Sequence, residues 1–553
     1  MTTRNVNLLW KSFKGIRKLN SINSDSEFGA DIAHNIRLSK EKSGQFRSIR
    51  SSGWYKSFTY FNTNDQVIRL FSANISGTGT EQLIAFVKTA SAIEVWKIYD
   101  SNGDTTKLQI GTFPLVSDVT DVCMTQWGDR LGMVIAFGTS YLGFVYYSVD
   151  SNIGGTQMGT SGFYYQTIDL SGAGTSIPLS NITRVRPYRS RLAVNGETSY
   201  ATGGAHREAI YGVWFSEAGN PLNFTADPIT SASETSAFYV ETGDYINQLE
   251  EYHGLTAFGR NRSYNITGSS QEDIRVLPLT AKGVIGNAAF TMNGQCAYVD
   301  SFASNIFTLR DNIDGTIGFN DPIGDDIQDY LRDVKDVTVN VTGRRVRLTK
   351  DTGQSLVFDV DINEWTEEFF YQNTRVTTFL EQEFFCLGSN AVGIIQDVWG
   401  TSVGQKPDED GYYSHYRTNL IWLDSQTSIK SHLYPFAIIL EPNTSNDFYI
   451  KFTTDRGDTF QSRITKAGFT NVATYSNDDS VPADGSQFVD DDEDLSGRVF
   501  FAFNQTELLL TADRPPFWRY LQIDIYTTDP AQQFNISGIE AKNTVINDEM
   551  LDY

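Results

Sequence analysis

Cysteine is almost missing: the 553 residues hold three, Cys123, Cys296 and Cys386, odd in number and far apart. That spacing encodes neither a disulfide framework nor a zinc knuckle, and it suits a chain made and folded in a reducing cytoplasm. Histidine is nearly as scarce. His34, His206, His253, His415 and His432 show neither HExxH nor His-x-His spacing, so a zinc hydrolase is not expected. No apolar run reaches the length of about 18 residues that a transmembrane helix needs. The start, Met1 to Trp10, lacks the basic-then-apolar layout of a secretion signal. A Gly-x-Ser-x-Gly elbow, a P-loop and a dinucleotide fingerprint are also absent. The expectation is a protein without catalytic residues, metal ligands or cofactor.

What the chain has in quantity is aromatic and turn-forming residues. Aromatics make up 13% (36 Phe, 27 Tyr, 9 Trp), and 45 Gly stand against 14 Pro. Aromatic and β-branched side chains broken by Gly, Asn, Asp and Ser are the makings of many short strands and tight turns. With 40% hydrophobic residues a sizeable core can be buried, and the length calls for about two to four domains.

Charge is unevenly spread. The net value is −23, yet residues 1–60 hold eleven Lys or Arg against four Asp or Glu, a balance of +7; the remainder carries −30. A basic arm on an acidic body either docks on something negative or folds back on its own body. The acidic body would repel DNA and let it slide past, since gripping phosphate needs clustered Lys and Arg.

Apolar and polar residues alternate in runs of about five to eight, the period of half-buried strands. Leu83-Ile-Ala-Phe-Val87, Ile93-Glu-Val-Trp-Lys-Ile-Tyr99, Phe144-Val-Tyr-Tyr147, Leu255-Thr-Ala-Phe258, Val337-Thr-Val-Asn-Val341 and Leu356-Val-Phe-Asp-Val360 are examples. The best helical stretch is Asp325 to Asp333, where Ile327, Tyr330 and Leu331 share a face and acids crowd the first turn. Strand groups recurring irregularly at roughly 45 to 60 residues, without a WD or kelch signature, fit divergent propeller blades better than stacked sandwiches. Composition shifts near residue 400, where Gly404-Gln-Lys-Pro-Asp-Glu-Asp-Gly411 reads as a linker or long loop. The expected fold is all-β: a basic arm with the first strand or strands over 1–60, an irregular β-propeller over 61–400, and a C-terminal β-sandwich over 401–553.

Three short motifs have structural readings beside functional ones. Asp100-Ser-Asn-Gly-Asp104 starts like a calcium loop, but Thr105 and Gly111 stand where an EF-hand needs Gly and Glu, which leaves a hairpin turn. Asp490-Asp-Asp-Glu-Asp494 reads as a solvated loop, with a cation site as the lesser alternative. Thr453-Thr-Asp-Arg-Gly-Asp-Thr-Phe460 follows the Asp-box pattern of sialidase propellers, where Asp and Gly shape a turn and the aromatic packs beneath it.

Several ordered segments resemble the tail nozzle proteins of short-tailed phages (podoviruses), also called tail tubular B or DNA-stabilisation proteins. Gly15-Ile-Arg17, Asp31-Ile-Ala-His-Asn-Ile-Arg37 and Ser43-Gly-Gln-Phe-Arg47 are similar to that family's opening, although Ile49-Arg-Ser-Ser-Gly53 replaces its Arg-Pro-Gly. Val185-Arg-Pro-Tyr-Arg-Ser-Arg-Leu192 resembles its Phe/Tyr-x-x-Arg-Leu strand, and Trp214 to Phe224 its Ser-x-x-Gly-Asn-Pro-x-x-Phe segment. Ser263-Tyr-Asn-Ile-Thr-Gly268 looks like its Tyr-x-Ile-x-Gly blade ending, and Phe358 to Glu367 like a late blade's close at Trp-Thr. The resemblance covers roughly residues 10–400, and the C-terminal part is similar to the sandwich of some members.

The resemblance implies a structural virion protein made in the host cytoplasm. It would be a hexameric ring around the DNA channel at the tail's distal end, next to adaptor or portal-side proteins, carrying fibres or spikes and passing double-stranded DNA without reading its sequence. Arg189, Arg191, Asn220, Pro221, Tyr264, Gly268 and Trp365 are the family-motif residues. Arg189 and Arg191 are expected as blade-internal hydrogen-bond donors, with DNA contact the alternative, and Trp365 as a core anchor. Arg4, Lys11, Lys14, Arg17 and Lys18 are candidates for an assembly interface. The alternative reading is a carbohydrate-active or carbohydrate-binding propeller protein, motivated by the Asp-box-like turn and the aromatics.

Overall fold

The computed structural model describes strands and turns within residues 3–547; stretches 11–12, 17–27, 39–45, 49–60, 101–106, 200–208, 225–235, 396–406, 423–429, 455–458, 475–497 and 502–516 and several shorter loops lie outside the described residues. The chain divides into two units. One comprises Trp54–Gly353 and Tyr371–Ile395; the other comprises Met1–Gly53, Gln354–Phe370 and Gln396–Tyr553.

The first unit is a β-propeller with seven blades among the described residues. Blade 1 is Gln66–Ala73, Gln82–Lys88, Ala92–Asp100 and Leu108–Pro114. Blade 2 is Cys123–Trp127, Arg130–Val134, Tyr141–Tyr147 and Phe163–Asp169, with Thr156–Gln157 on its edge. Blade 3 is Val185–Tyr188, Arg191–Ser199, Ala209–Phe215 and Phe238–Glu241; blade 4 is Ile246–Glu251, Leu255–Gly259, Ser263–Thr267 and Arg275–Thr280. Blade 5 is Val284–Met292, Gln295–Asp300, Ile306–Asp311 and Ile317–Phe319. Blade 6 contributes the hairpin Val337–Thr342 and Arg345–Lys350, and blade 7 is Arg375–Phe379, Gln382–Cys386 and Val392–Ile395. All pairings within a blade are antiparallel, as hairpin-linked strands require.

Side-chain contacts, and between blades 5 and 6 a strand pairing, close the ring at every blade boundary. Asn74 and Gln126 exchange two hydrogen bonds between blades 1 and 2, at 2.8 and 2.7 Å. Val134, Leu142 and Phe144 pack with Val185, Leu192 and Trp214 between blades 2 and 3, and Val213 and Phe215 with Leu249 and Ile266 between blades 3 and 4. Asn247 Nδ2 donates to Val284 O at 2.9 Å, and Asn287 pairs with Thr338 across blades 5 and 6. Thr378 Oγ1 donates to Val341 O at 2.8 Å, and Thr377 Oγ1 to Leu70 O at 2.9 Å, which joins blade 7 to blade 1. The expected helical stretch is a short turn, Asp325–Ile327 followed by Gln328–Leu331, with Ile327 and Leu331 buried.

The second unit is a β-sandwich, and its composition differs from the expected boundaries. The N-terminal residues do not stand apart as an arm: Thr3–Trp10 pairs antiparallel with Asn535–Asn547, from Thr3 opposite Asn547 to Trp10 opposite Ile539. Asn535–Asn547 pairs also with Phe436–Leu440 and with Phe46–Ser48 in the same sheet. The facing sheet runs from Phe13–Ile16 through Phe28–His34, Ser414–Thr418, Tyr520–Thr527 and Asp447–Thr454 to Thr459–Thr465. Alternation decides the faces. Phe448, Ile450, Phe452, Leu521, Ile523, Ile525 and Tyr416 point into the core. Phe46 fills the interlayer space, 4.8 Å from Phe13, 4.3 Å from Tyr416 and 5.9 Å from Phe534, ring centre to ring centre. A buried aromatic of this kind contributes about 1.5–3 kcal/mol. The physical reason for the altered boundary is this non-local pairing, which charge and periodicity do not report. The hairpin Gln354–Asp359 and Glu364–Phe369 belongs to this unit as well.

Candidate functional site

The family-motif residues are framework pieces. Arg191 is 1% exposed and donates to three backbone carbonyls: Nε to Ser269 O at 3.0 Å, Nη1 to Ser216 O at 2.7 Å and to Ser236 O at 2.8 Å. It thereby ties blade 3 to the turn between the third and fourth strands of blade 4. Arg189 departs from the internal-donor reading. It is exposed in the two-residue turn between Tyr188 and Arg191, at φ 52°, with its guanidinium over the Tyr188 ring. Asn220 and Pro221 sit in the turn after blade 3's third strand, where Asn220 N donates to Glu217 O at 3.1 Å and Pro221 is buried. Tyr264 packs half-buried on the core of blades 3 and 4. Gly268, at φ 109°, accepts from Tyr188 OH at 2.7 Å, and a Cβ there would lie 2.6 Å from Asp273 O. Trp365, 3% exposed, packs 4.8 Å from Phe358 in the sandwich unit.

The assembly candidates are less visible. Arg4 lies in the strand Thr3–Trp10, while Lys11, Arg17 and Lys18 fall outside the described residues. Lys14 Nζ is 3.8 Å from Glu364 Oε1 of its own chain, the fold-back alternative at that one position. The Asp-box strands pair with Thr453 opposite Thr459, as a hairpin turn requires; Asp455 and Gly457 are outside the described residues, as are Ser101 to Asp104 and the acidic run 490–494.

The densest charged cluster lies on the outer face of the sandwich sheet. In Ser414-His-Tyr-Arg-Thr418 the inward Tyr416 alternates with outward His415 and Arg417. The neighbouring strand Tyr520–Thr527 likewise alternates inward Leu521, Ile523 and Ile525 with outward Asp524 and Tyr526. His415, fully buried, holds Asp408 Oδ2 with Nδ1 at 2.6 Å and Asp524 Oδ1 with Nε2 at 2.9 Å. Arg417 Nε donates to the same Asp524 oxygen at 2.6 Å, and its Nη2 to Asp410 Oδ2 at 3.0 Å. Tyr412 stacks on Tyr526 at 3.9 Å, and Tyr449 continues the stack at 5.4 Å.

The electrostatics follow from this geometry. Burial alone would depress His415, but hydrogen bonds to Asp408 and Asp524 outweigh it and raise its pKa above 6.5. Burial would raise Asp408 and Asp524, yet His415, with the Tyr412 N–H at Asp408 and Arg417 at Asp524, holds both below the usual carboxylate value. Ionised carboxylates only accept, so a carboxylate at each ring nitrogen favours the doubly donating imidazolium form of His415. The donor atoms of Asp408, Asp410 and His415 lie within 4.8 Å of one another, as in a metal-binding set. No lone pair is left on the imidazolium, and His415 and Arg417 together balance two of the three carboxylate charges of Asp408, Asp410 and Asp524. The arrangement holds chain segments together; it has no nitrogen available as a general base.

Neither His-x-His nor HExxH spacing marks this cluster, because its members come from a loop and two strands, with His415 and Asp524 109 residues apart. The usable signals are an acid, Asp524, between Ile523 and Ile525, and the crowding of Asp408, Asp410, His415 and Arg417.

No protein-family model matches the chain, and no curated protein does. Among solved structures, the chain is similar to BBS1N in complex with ARL6DN at 11% identity, covering 63% of this chain and 98% of that one at a TM-score of 0.35. It is similar to YCF48 bound to D1 peptide at 10% identity, covering 62% and 96% at 0.35, and to Raptor of Chaetomium thermophilum at 11%, covering 62% and 29% at 0.36. At these scores the likenesses carry no weight for function, and the propeller is established by its blade order and ring closure.

Proposed function

We propose that this chain is a structural virion protein, a subunit of an oligomeric, hexameric tail nozzle ring around the DNA channel of a short-tailed phage. The observation that carries the reading is the ordered set of family-like segments over roughly residues 10–400. The best of them supply fold-forming positions: the Val185–Leu192 hairpin with Arg191, the Tyr264–Gly268 segment in and after the third strand of blade 4, and Trp365. The net charge of −23 supports it in a second way, because an acidic wall repels phosphate and lets DNA pass without adhesion. On this reading the ring retains packaged DNA, takes part in ejection, meets adaptor or portal-side proteins on one side and carries fibres or spikes. It performs no catalysis and needs no cofactor. No described helix is long and apolar enough to cross a membrane. Arg4, Lys11, Arg17 and Lys18 are the basic residues proposed for the assembly interface.

The test is size-exclusion chromatography with light scattering and negative-stain imaging of the purified full chain. Rings are expected, and reversing Arg4, Lys11, Arg17 and Lys18 to Glu is expected to weaken them. A monomer that binds or cleaves glycans would overturn the proposal.

A further inference from the structure

We propose that Pro407–Tyr413 is a strap locked onto the outer face of the sandwich sheet by the proton on His415, and that it opens when that proton leaves. The strap is short and its attachments are few. Asp408 Oδ1 accepts from the amides of Asp410 at 3.0 Å and Tyr412 at 2.9 Å, which makes the segment a self-closed turn. Its hold on the sheet includes Asp408 to His415, Asp410 to Arg417, the Tyr412–Tyr526 stack with Tyr412 edge-on to the His415 ring, the Tyr413 amide to Thr527 O at 2.9 Å, and Asn35 Nδ2 donating to Tyr413 O at 2.6 Å.

The groups facing His415 come from every element around it. The strap presents Asp408, Asp410 and Tyr412; the Tyr520–Thr527 strand presents Asp524 and Tyr526; and Tyr449 stands beyond Tyr526. Arg417 lies on His415's own strand. His34, opposite His415 on Phe28–His34, is 3.8 Å from Glu367. With His415 protonated, two cations face three carboxylates in the strap cluster. A neutral imidazole can donate from one nitrogen only, so its other lone pair would confront a carboxylate at hydrogen-bond distance. Because His415 is fully buried, solvent cannot relieve that repulsion, and the cheaper outcome is for Asp408 to leave. Asp408 is tied by its own side chain to the strap's turn, so the turn departs with it. Asp524 keeps Arg417 and stays.

The strap is also the first described segment after residues 396–406, the stretch that follows blade 7. Opening therefore releases Pro407–Tyr413 from the sheet, up to about 3.3–3.6 Å of chain per released residue.

Hydrogen exchange on the full-length protein, read by mass spectrometry and corrected for intrinsic chemical rates, tests this. The Tyr413 amide, whose bond to Thr527 O is broken by opening, is expected to be protected near pH 6 and to lose protection about tenfold per pH unit above the His415 midpoint. Strand Gln82–Lys88 in blade 1 serves as the control and should not change. In His415→Gln the strap is expected to exchange fast at all pH values, without a step. Asp408→Asn keeps the turn's acceptor but removes a carboxylate, so the midpoint should move to lower pH. Flat protection of the wild-type strap from about pH 6 to pH 10 would overturn the proposal. So would a His415→Gln profile matching wild type. If His415→Gln does not fold, an unmoved midpoint in Asp408→Asn overturns it equally.

Discussion

Arg347 and Glu383 meet in a two-pronged ion pair between blades 6 and 7, Nε to Oε1 at 3.2 Å and Nη2 to Oε2 at 2.8 Å, with the side chains 1% and 7% exposed. Both charges were taken out of water to make it. Removing one leaves the other buried without its counter-charge, which costs about 3–5 kcal/mol, whereas replacing both by well-packed apolar side chains is near neutral. Glu383→Ala is therefore expected to lower the melting temperature strongly, and the Arg347→Met/Glu383→Leu double variant much less. Equal losses in thermal denaturation would show that the pair is not what holds that boundary.

Two arginines of one hairpin should behave oppositely. Arg191→Ala abandons three carbonyl acceptors, one buried and two part-buried, an expected loss of about 3 kcal/mol in urea denaturation. Arg189→Ala should change stability by no more than about 0.5 kcal/mol, since its side chain is exposed. Arg189→Gly should be neutral or better, because φ 52° strains any side chain.

Gly15 lies against Trp365 so closely that a Cβ would overlap the tryptophan's backbone carbonyl. Backbone cannot swing aside as a side chain can. Gly15→Ala is expected to destabilise the sandwich unit by about 1–3 kcal/mol and to raise hydrogen exchange in Glu364–Phe369. An unchanged exchange profile would contradict the packing described.

The pH dependence of sandwich stability has two edges. Asp408 and Asp524 are depressed, so their contribution is present above the unfolded carboxylate value and lost as pH falls through their folded values. His415 is raised, so its contribution is complete below 6.5 and lost as pH rises through its folded value. Stability from this cluster should peak between about pH 4 and pH 6.5 and decline on both sides. His415→Gln should abolish the alkaline decline in a pH series of urea midpoints.

Strand identity was legible because period-two alternation is local. Leu83–Val87, Ile93–Tyr99 and Leu255–Phe258 fall inside strands. The Gly404–Gly411 stretch read as a loop, and Pro407–Gly411 has no strand or helix. The partner of Thr3–Trp10 was not legible, since the strand it pairs with starts more than 520 residues later and nothing in either sequence names the other. The His415 cluster stayed hidden for the same reason. Its chemistry arises from cross-strand register, which places Arg417 opposite Asp524, and not from spacing along the chain.

Immunogold electron microscopy of intact infectious particles, with an antibody raised against the purified chain, tests the central claim most directly. The account predicts label confined to the distal end of a short tail, in every particle. Particles that lack the chain, or a chain that stays in the infected cell's soluble fraction, would contradict it.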